Sequence, residues 1–488
     1  MNAVLLPILI PLTSAVLLLV LRGRDARFAV SLLSAALTVA ASAALLSATL
    51  NGEAPSSNLG GWAAPFGIAV VADGLSAISV TAASLVALLT VLLSRGTTDE
   101  RRERFGHHAL LHLLFAGVNQ SFLTGDLFNL FVAFEVMLVA SYALMVLGND
   151  VGQLREGFRY VVFNLLVSAV FVVAAGFAYG LLGTLNFADL ALRSAPLGPN
   201  ASVTALTLLL MFVFASKTAL FPLSFWLPGA YPEPPPAVSA YFAAVLTKVG
   251  AYALIRLLTT VFPTEPHVTH TIVLVLGSAT VLVGALGALS QRTWRSILSF
   301  TVVSSVGYLG VGLGLNSPDA LTATVFYLAQ SMLVTFGLFA VAALAERFTG
   351  TESVVTGGLL SRSPLLAAAY FVGLLALVGL PPTSGFVAKL GLVRAAAEVG
   401  TSLAFLGIGA ILLGSFLTLV TLASVWRSAF WGESRRAAPA GRFLTATTLV
   451  AGAVTASLIV VSGPLYASAD RIAAELANPG EYAREVLP

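Results

Sequence analysis

The sequence predicts an all-α polytopic membrane protein of about fourteen transmembrane helices. Three observations predict it. Of the 488 residues, 58% are hydrophobic and only 10% charged, a balance no soluble domain of this length carries. Apolar runs of roughly 17–25 residues, long enough to cross a bilayer, recur from end to end. The chain has only three lysines, Lys217, Lys248 and Lys389, and all three lie inside apolar runs rather than in the polar gaps.

The candidate spans cover residues 3–22, 28–50, 72–94, 107–124, 127–147, 158–181, 203–227, 236–261, 268–289, 292–314, 319–346, 364–398, 402–431 and 442–466. The first run, Leu5 to Leu21, has no basic residues before it and no clear small-residue cleavage site after it. It reads as a retained span rather than a signal peptide. The fourth and fifth spans are separated only by Gly125-Asp126. Absence of cysteine excludes disulfides, iron–sulfur clusters and thiolate metal sites. The net charge of +3 carries no nucleic-acid signature.

Arginine sets the orientation. With the N-terminus outside, the odd-numbered connections hold seventeen arginines, Arg435 and Arg436 among them. The exterior side holds three, Arg193, Arg471 and Arg484. The positive-inside rule then predicts both termini outside. The connections are short, which leaves no room for a sizeable soluble domain.

Two spans are interrupted by proline. Pro222, in Ser216-Lys217-Thr218-Ala219-Leu220-Phe221-Pro222, cannot donate to the carbonyl of Thr218. In Gly379-Leu380-Pro381-Pro382-Thr383-Ser384-Gly385-Phe386, two prolines and two glycines break the helix ahead of Lys389. Backbone groups freed at membrane depth need water, side chains or ions. A single membrane proline is as readily a packing kink, but paired broken helices in two halves of a chain point to a transport site. The lysines lie 172 positions apart (217 and 389). That offset lays span five on span ten and span eight on span thirteen. Spans four to eight and nine to thirteen thus read as two inverted five-helix repeats. The chain divides into an N-terminal three-helix segment (1–106), a first repeat (107–261), a second (268–431) and a C-terminal helix and tail (432–488).

An ionisable side chain at membrane depth is costly and marks an ion or proton pathway. Lysine suits proton transfer because its affinity for the proton responds to desolvation, whereas arginine stays charged. Glu135, near the middle of span five, is the carboxylate partner, with Lys217 and Lys248 available in the same half. The competing reading is a static buried ion pair, which is poor value for stability alone. Other polar residues carry weaker signals. His107, His108 and His112 flank the start of span four, where His112 is a candidate proton collector and the other two read as interfacial. Asp73 reads as a helix cap. Asp126 sits in a tight exterior turn and either lines an exit or serves the turn. His267 and His270 read as exterior-loop residues, and Glu233 as solvated in a proline-rich loop. Ser305, Gln330, Ser331 and Thr335 place hydrogen-bonding groups in spans ten and eleven, for a water chain or for helix bridging. No phosphate-binding glycine loop, HExxH motif or nucleophile–base pair is present, so the chain reads as a secondary transporter subunit rather than an enzyme, with no cofactor or metal expected.

These strings resemble the antiporter-like subunits shared by respiratory complex I, membrane-bound hydrogenases and the Mrp sodium/proton antiporters. The resemblance covers nearly the whole chain. It rests on Lys217-Thr218-Ala219-Leu220-Phe221-Pro222 through Pro228, on Pro235-Pro236-Ala237-Val238-Ser239-Ala240 through Lys248-Val249-Gly250, and on Pro381-Pro382-Thr383-Ser384-Gly385-Phe386 with Lys389. Leu59-Gly60-Gly61-Trp62 through Asp73, and Thr124-Gly125-Asp126-Leu127-Phe128-Asn129-Leu130-Phe131 running into Glu135, are similar to the Mrp branch. The resemblance implies a fourteen-helix fold with inverted repeats. It implies a coupling pair of Glu135 and Lys217, a central relay at Lys248 and a terminal relay at Lys389. It further implies a hetero-oligomeric complex with other Mrp subunits in a prokaryotic plasma membrane, exporting sodium against proton entry. Many relatives carry histidines and a lysine in spans ten and eleven. Ser305, Gln330, Ser331 and Thr335 stand there instead, so the second half is either a hydrated wire or a poor conductor. Two other readings are a proton-pumping subunit of a complex I-type or hydrogenase redox complex, and a structural subunit with an inactive channel.

Overall fold

The computed structural model describes residues 3–263, 265–432 and 441–487. Arg435 and Arg436, used above for orientation, lie outside the described residues. Among those described, twelve helices are long and apolar enough to cross a membrane. They are α1 (Ala3–Val20), α2 (Arg24–Leu50), α3 (Gly74–Thr97), α5 (Leu127–Val146), α6 (Val151–Leu182), α7 (Ala201–Thr218), α8 (Pro236–Val261), α9 (Pro266–Leu289), α10 (Trp294–Gly314), α11 (Pro318–Thr349), α14 (Ser402–Phe430) and α15 (Arg442–Leu476). The two remaining expected spans are the 17-residue α4 (His107–Leu123) and the broken pair α12 (Pro364–Val378) and α13 (Ser384–Val399). A short α16 (Pro479–Val486) ends the described chain. A small antiparallel hairpin, β1 (Ser56–Asn58) with β2 (Ala69–Val71), covers the connection between α2 and α3.

Polar residues at the span boundaries start the helices. Asp73 and Ser76 form a reciprocal capping box on α3. Asp126, Asn200, Ser317 and Thr401 cap α5, α7, α11 and α14. Left-handed glycines at 183, 350 and 400 end α6, α11 and α13. The most apolar stretches of α8 and α11 are wholly buried inside the chain, whereas most residues in those of α1, α2, α6, α14 and α15 are not buried by it. The lysine-bearing α8 is thus at the centre of the bundle. It packs against α11, and this contact joins the two halves. Glycine permits a close crossing of α9 and α10: a Cβ on Gly284 would sit 2.2 Å from the backbone nitrogen of Ser304.

Three expectations need correction. His267 and His270 lie in α9 rather than a loop, and His270 is buried beside Thr269. His107 and His108 are buried against α2 and α3 rather than interfacial. Glu233 is half-buried, because the proline-rich loop is drawn in by Arg295, which donates to the carbonyls of Pro232 and Pro234 and pairs with Glu346 and Glu352.

Candidate functional site: a line of buried lysines

Lys217 occupies the last turn of α7. The helix stops at Thr218, Ala219 turns left-handed (φ 64°), and backbone groups on either side of the break find partners across the fold. The amide of Phe221 donates to Thr280 Oγ1 of α9 at 2.8 Å, and Trp226 Nε1 donates to the carbonyl of Ser216 at 3.2 Å. The lysine reaches into α6. Its Nζ donates to Asn164 Oδ1 (3.2 Å), the Asn164 carbonyl (3.4 Å) and Ser168 Oγ (3.3 Å). Ser168 Oγ in turn donates to Glu135 Oε1 at 2.5 Å. Among the described residues no ion pair joins Lys217 and Glu135 directly: the expected pair is a triad with a hydroxyl in the middle. A hydroxyl both donates and accepts, so it can pass a proton between its neighbours.

Lys248 is fully buried, and Lys217 and Lys389 are 5% exposed. The only side-chain hydrogen bond of Lys248 among the described residues is from Nζ to the carbonyl of Ala243, at 3.1 Å. That carbonyl is offered by a π-helical stretch, Phe242–Leu246, which interrupts the i→i−4 ladder of α8 one turn below the lysine. Among the described residues no side-chain hydrogen bond links Lys248 to Lys217 or to the second half.

Lys389 lies past the second break, in the second turn of α13. Gly379 turns left-handed (φ 87°), and the carbonyls freed at the end of α12 accept from the lysine: Leu377 at 3.0 Å and Val378 at 2.9 Å. Its third partner is Ser415 Oγ of α14 at 3.0 Å, and the ammonium sits 4.1 Å above the ring of Tyr308. Beside it is a cavity of about 300 Å³ lined by Phe386, Leu390, Leu412, Ser415 and Phe416. Tyr308 Oη lies 3.2 Å from Ser415 Oγ, its ring is 5.6 Å from that of Tyr327, and Tyr327 Oη donates to Ser305 Oγ at 3.3 Å.

The remaining candidates are spread out. Ser305 accepts from Tyr327, whose ring lies against that of Tyr308 but is not hydrogen-bonded to the Lys389 group among the described residues. Gln330 accepts from Ser384 at the start of α13 (3.2 Å). Ser331 bonds the carbonyl of Leu328 in its own helix, and Thr335 is buried a turn further on. His112 is buried with Nδ1 on the carbonyl of His108 (3.0 Å), away from the lysines. Asp126 caps α5 through the amide of Asn129 (2.7 Å), and burial raises its carboxyl to about 6. Asn164, Ser168, Tyr308 and Ser415 were not singled out from sequence. Asn164 and Ser168 do carry a signal, two polar residues at i, i+4 in an apolar helix.

Buried amines at two helix breaks and one π-helical stretch, in a bundle of membrane-length helices, define an ion-transport protein. Residues 124–421 match the NADH:quinone oxidoreductase/Mrp antiporter transmembrane family, and the chain belongs to that family. It is 37% identical to the protein of Bacillus subtilis named as the D subunit of a Na(+)/H(+) antiporter, over 100% of this chain and 99% of the relative. It is 39% identical to the protein of the same name from Alkalihalophilus pseudofirmus, over 88% of this chain and 87% of the relative. Its fold matches a chain of the Mrp complex from Dietzia sp. DQ12-45-1b with a TM-score of 0.93 and 30% identity, covering 100% and 99% of the two chains.

Proposed function

We propose that this chain is the D subunit of a multisubunit Na+/H+ antiporter, moving protons through a Glu135–Ser168–Lys217 triad, a central Lys248 and a terminal Lys389. It works in a hetero-oligomeric complex with the other Mrp subunits, in a prokaryotic plasma membrane with both termini outside. The observation that carries this reading is the triad. It ties α5, α6 and α7 together at a broken helix, and its middle member can accept from one end and donate to the other. A shift of the α7 break by about an ångström lengthens the Lys217–Ser168 bond and changes how well the ammonium is solvated, which couples the conformation of the helix to the proton held there.

The organisation into fourteen spans with repeats over 107–261 and 268–431 belongs to the same proposal. Its best support is the pair of breaks. Ala219 and Gly379 are left-handed, each is followed by leucine, and Pro222 and Pro382 follow at matching positions, all 160 positions apart. That offset differs from the 172 between the lysines, so Lys217 precedes its break and Lys389 follows its own.

The test is sodium-dependent proton flux in everted vesicles carrying the whole complex, with Glu135→Ala and Lys217→Ala made separately and assembly verified. Loss of flux in each is expected. Exchange at the wild-type rate in either assembled variant makes the triad structural and sends the pathway elsewhere.

A further inference from the structure

Lys248, Tyr252 and Arg256 occupy successive turns along one face of α8. Following that face from the central lysine toward the C-terminal end of α8 leads to a closed arrangement. Tyr252 Oη donates to the carbonyl of Phe122 at 2.6 Å and accepts from Arg256 Nη2 at 3.3 Å. The guanidinium pairs with Asp73 at the start of α3, with Nη1 2.6 Å and Nη2 2.7 Å from its two oxygens. It is enclosed by two rings, Tyr252 at 5.5 Å and Tyr482 of α16 at 5.1 Å. Arg256 is 3% exposed. Past it is a cavity of about 100 Å³ lined by Glu53, Asp73, Glu475, Glu481 and Glu485.

A guanidinium has only donors and keeps its charge at any working pH, so it neither accepts nor gives up a proton. Placed in line between Tyr252 and the acidic cavity, it interrupts any proton wire between them. Its positive charge also repels a hydrated proton, as fixed cations do in water-selective pores. The surroundings of Lys389 differ: Ser415 and Tyr308 are hydroxyls that can both donate and accept.

We propose that the Arg256–Asp73 pair, clamped by Tyr252 and Tyr482, is a proton seal that closes the first half of the chain at the C-terminal end of α8 and so forces protons from Lys248 toward Lys389. This rests on the relay proposed above. The seal fixes coupling: a proton that escaped along α8 would cross without driving sodium.

The experiment uses the whole complex in proteoliposomes with an entrapped pH dye. Passive proton conductance is read in the absence of sodium under an imposed potential, and sodium-driven exchange is read separately. Arg256→Gln and Asp73→Asn are each expected to raise passive conductance at least several-fold, and a second substitution, Lys217→Ala, to remove the excess. Arg256→Lys is expected to leak as well, since a lysine can give up its proton where an arginine cannot. If Arg256→Gln does not assemble, Arg256→Lys, which keeps a positive charge for Asp73, carries the test: raised conductance supports the seal and wild-type conductance overturns it. Assembled Arg256→Gln and Asp73→Asn complexes that are as tight as wild type overturn the seal. So does loss of exchange without any leak, which makes the pair an exit instead. Failure of the wild-type complex to exchange sodium for protons is a separate result, striking at the relay and not at the seal.

Discussion

Lys389 Nζ donates to the carbonyl of Val378, eleven residues earlier, at 2.9 Å. The lysine thus binds the helix end that its own proline break set free. Lys217 does not do this: its ammonium turns to α6, and Thr280 and Trp226 meet the Phe221 amide and the Ser216 carbonyl at its break. The second lysine is therefore part of the architecture of its break, while the first is held by Asn164 and Ser168 of a neighbouring helix.

This separates two roles for Lys389 by substitution. Lys389→Arg keeps the positive charge for the carbonyls of Leu377 and Val378, and the adjoining cavity has room for a larger head group. An arginine cannot release its proton. The variant is expected to assemble normally while sodium-driven proton flux falls by at least about a hundredfold, the order of a lost proton-transfer group. Normal flux from an assembled Lys389→Arg complex limits the residue to neutralising the break.

Ser168→Ala removes the hydroxyl between Lys217 and Glu135. A hydrogen bond to a charged group is worth about 1.5–3 kcal/mol, or roughly ten- to a hundredfold in rate if it is made along the transfer path. Exchange is expected to fall by that factor, with assembly unchanged. Ser168→Thr retains the hydroxyl and is expected to retain most activity. Initial rates of dye quenching in vesicles measure both, and equal rates for alanine and wild type remove Ser168 from the path.

The lysines and the two breaks were legible in the sequence because charge and proline in apolar runs are conspicuous. The hydroxyls that serve them were not. Thr207, Ser121 and Thr418 are also hydroxyls in apolar helices, and each bonds a carbonyl four residues back in its own helix. Nothing local tells them from Ser415, whose partner comes from another helix, and only the i, i+4 spacing to Asn164 marks Ser168. Asp73 was read as a helix cap, which it is. Its second partner, Arg256, lies 183 residues away and became visible only once α3 and α8 were packed. The lysines are 172 positions apart and the left-handed break residues Ala219 and Gly379 are 160 apart, because the two lysines stand on opposite sides of their breaks. The burial of His107, His108 and His270 was missed for a related reason: polar residues at span edges read as interfacial until neighbouring helices are seen to cover them.

Thr280 is the only side chain described as meeting the freed amide of Phe221, and it belongs to α9, the first helix of the second half. Thr280→Val keeps the shape and removes the acceptor. Leaving a buried donor unpaired costs about 1–3 kcal/mol. The purified complex is expected to lose stability by that order in denaturant or thermal unfolding, while Thr280→Ser stays near wild type. If valine is as stable as threonine, the amide has another acceptor and the break does not depend on α9.

Gly250 sits two residues past Lys248, and a Cβ there would lie 2.6 Å from the amide nitrogen of Thr218 and 2.7 Å from the carbonyl carbon of Lys217. Both are backbone atoms at the end of α7 and cannot rotate away, so Gly250→Ala must push α7 from α8. Overpacking of this kind costs about 1–3 kcal/mol. Here the displaced atoms carry Lys217, whose three hydrogen bonds to α6 are between 3.2 and 3.4 Å and have no slack. Gly250→Ala is therefore expected to reduce exchange more than it reduces assembly. Gly180→Ala on α6, where a Cβ meets nothing within 4 Å, is the matched control and is expected to leave both unchanged. Equal exchange in the two alanine variants shows that α7 can yield without moving the ammonium, and that the triad tolerates more play than its distances suggest.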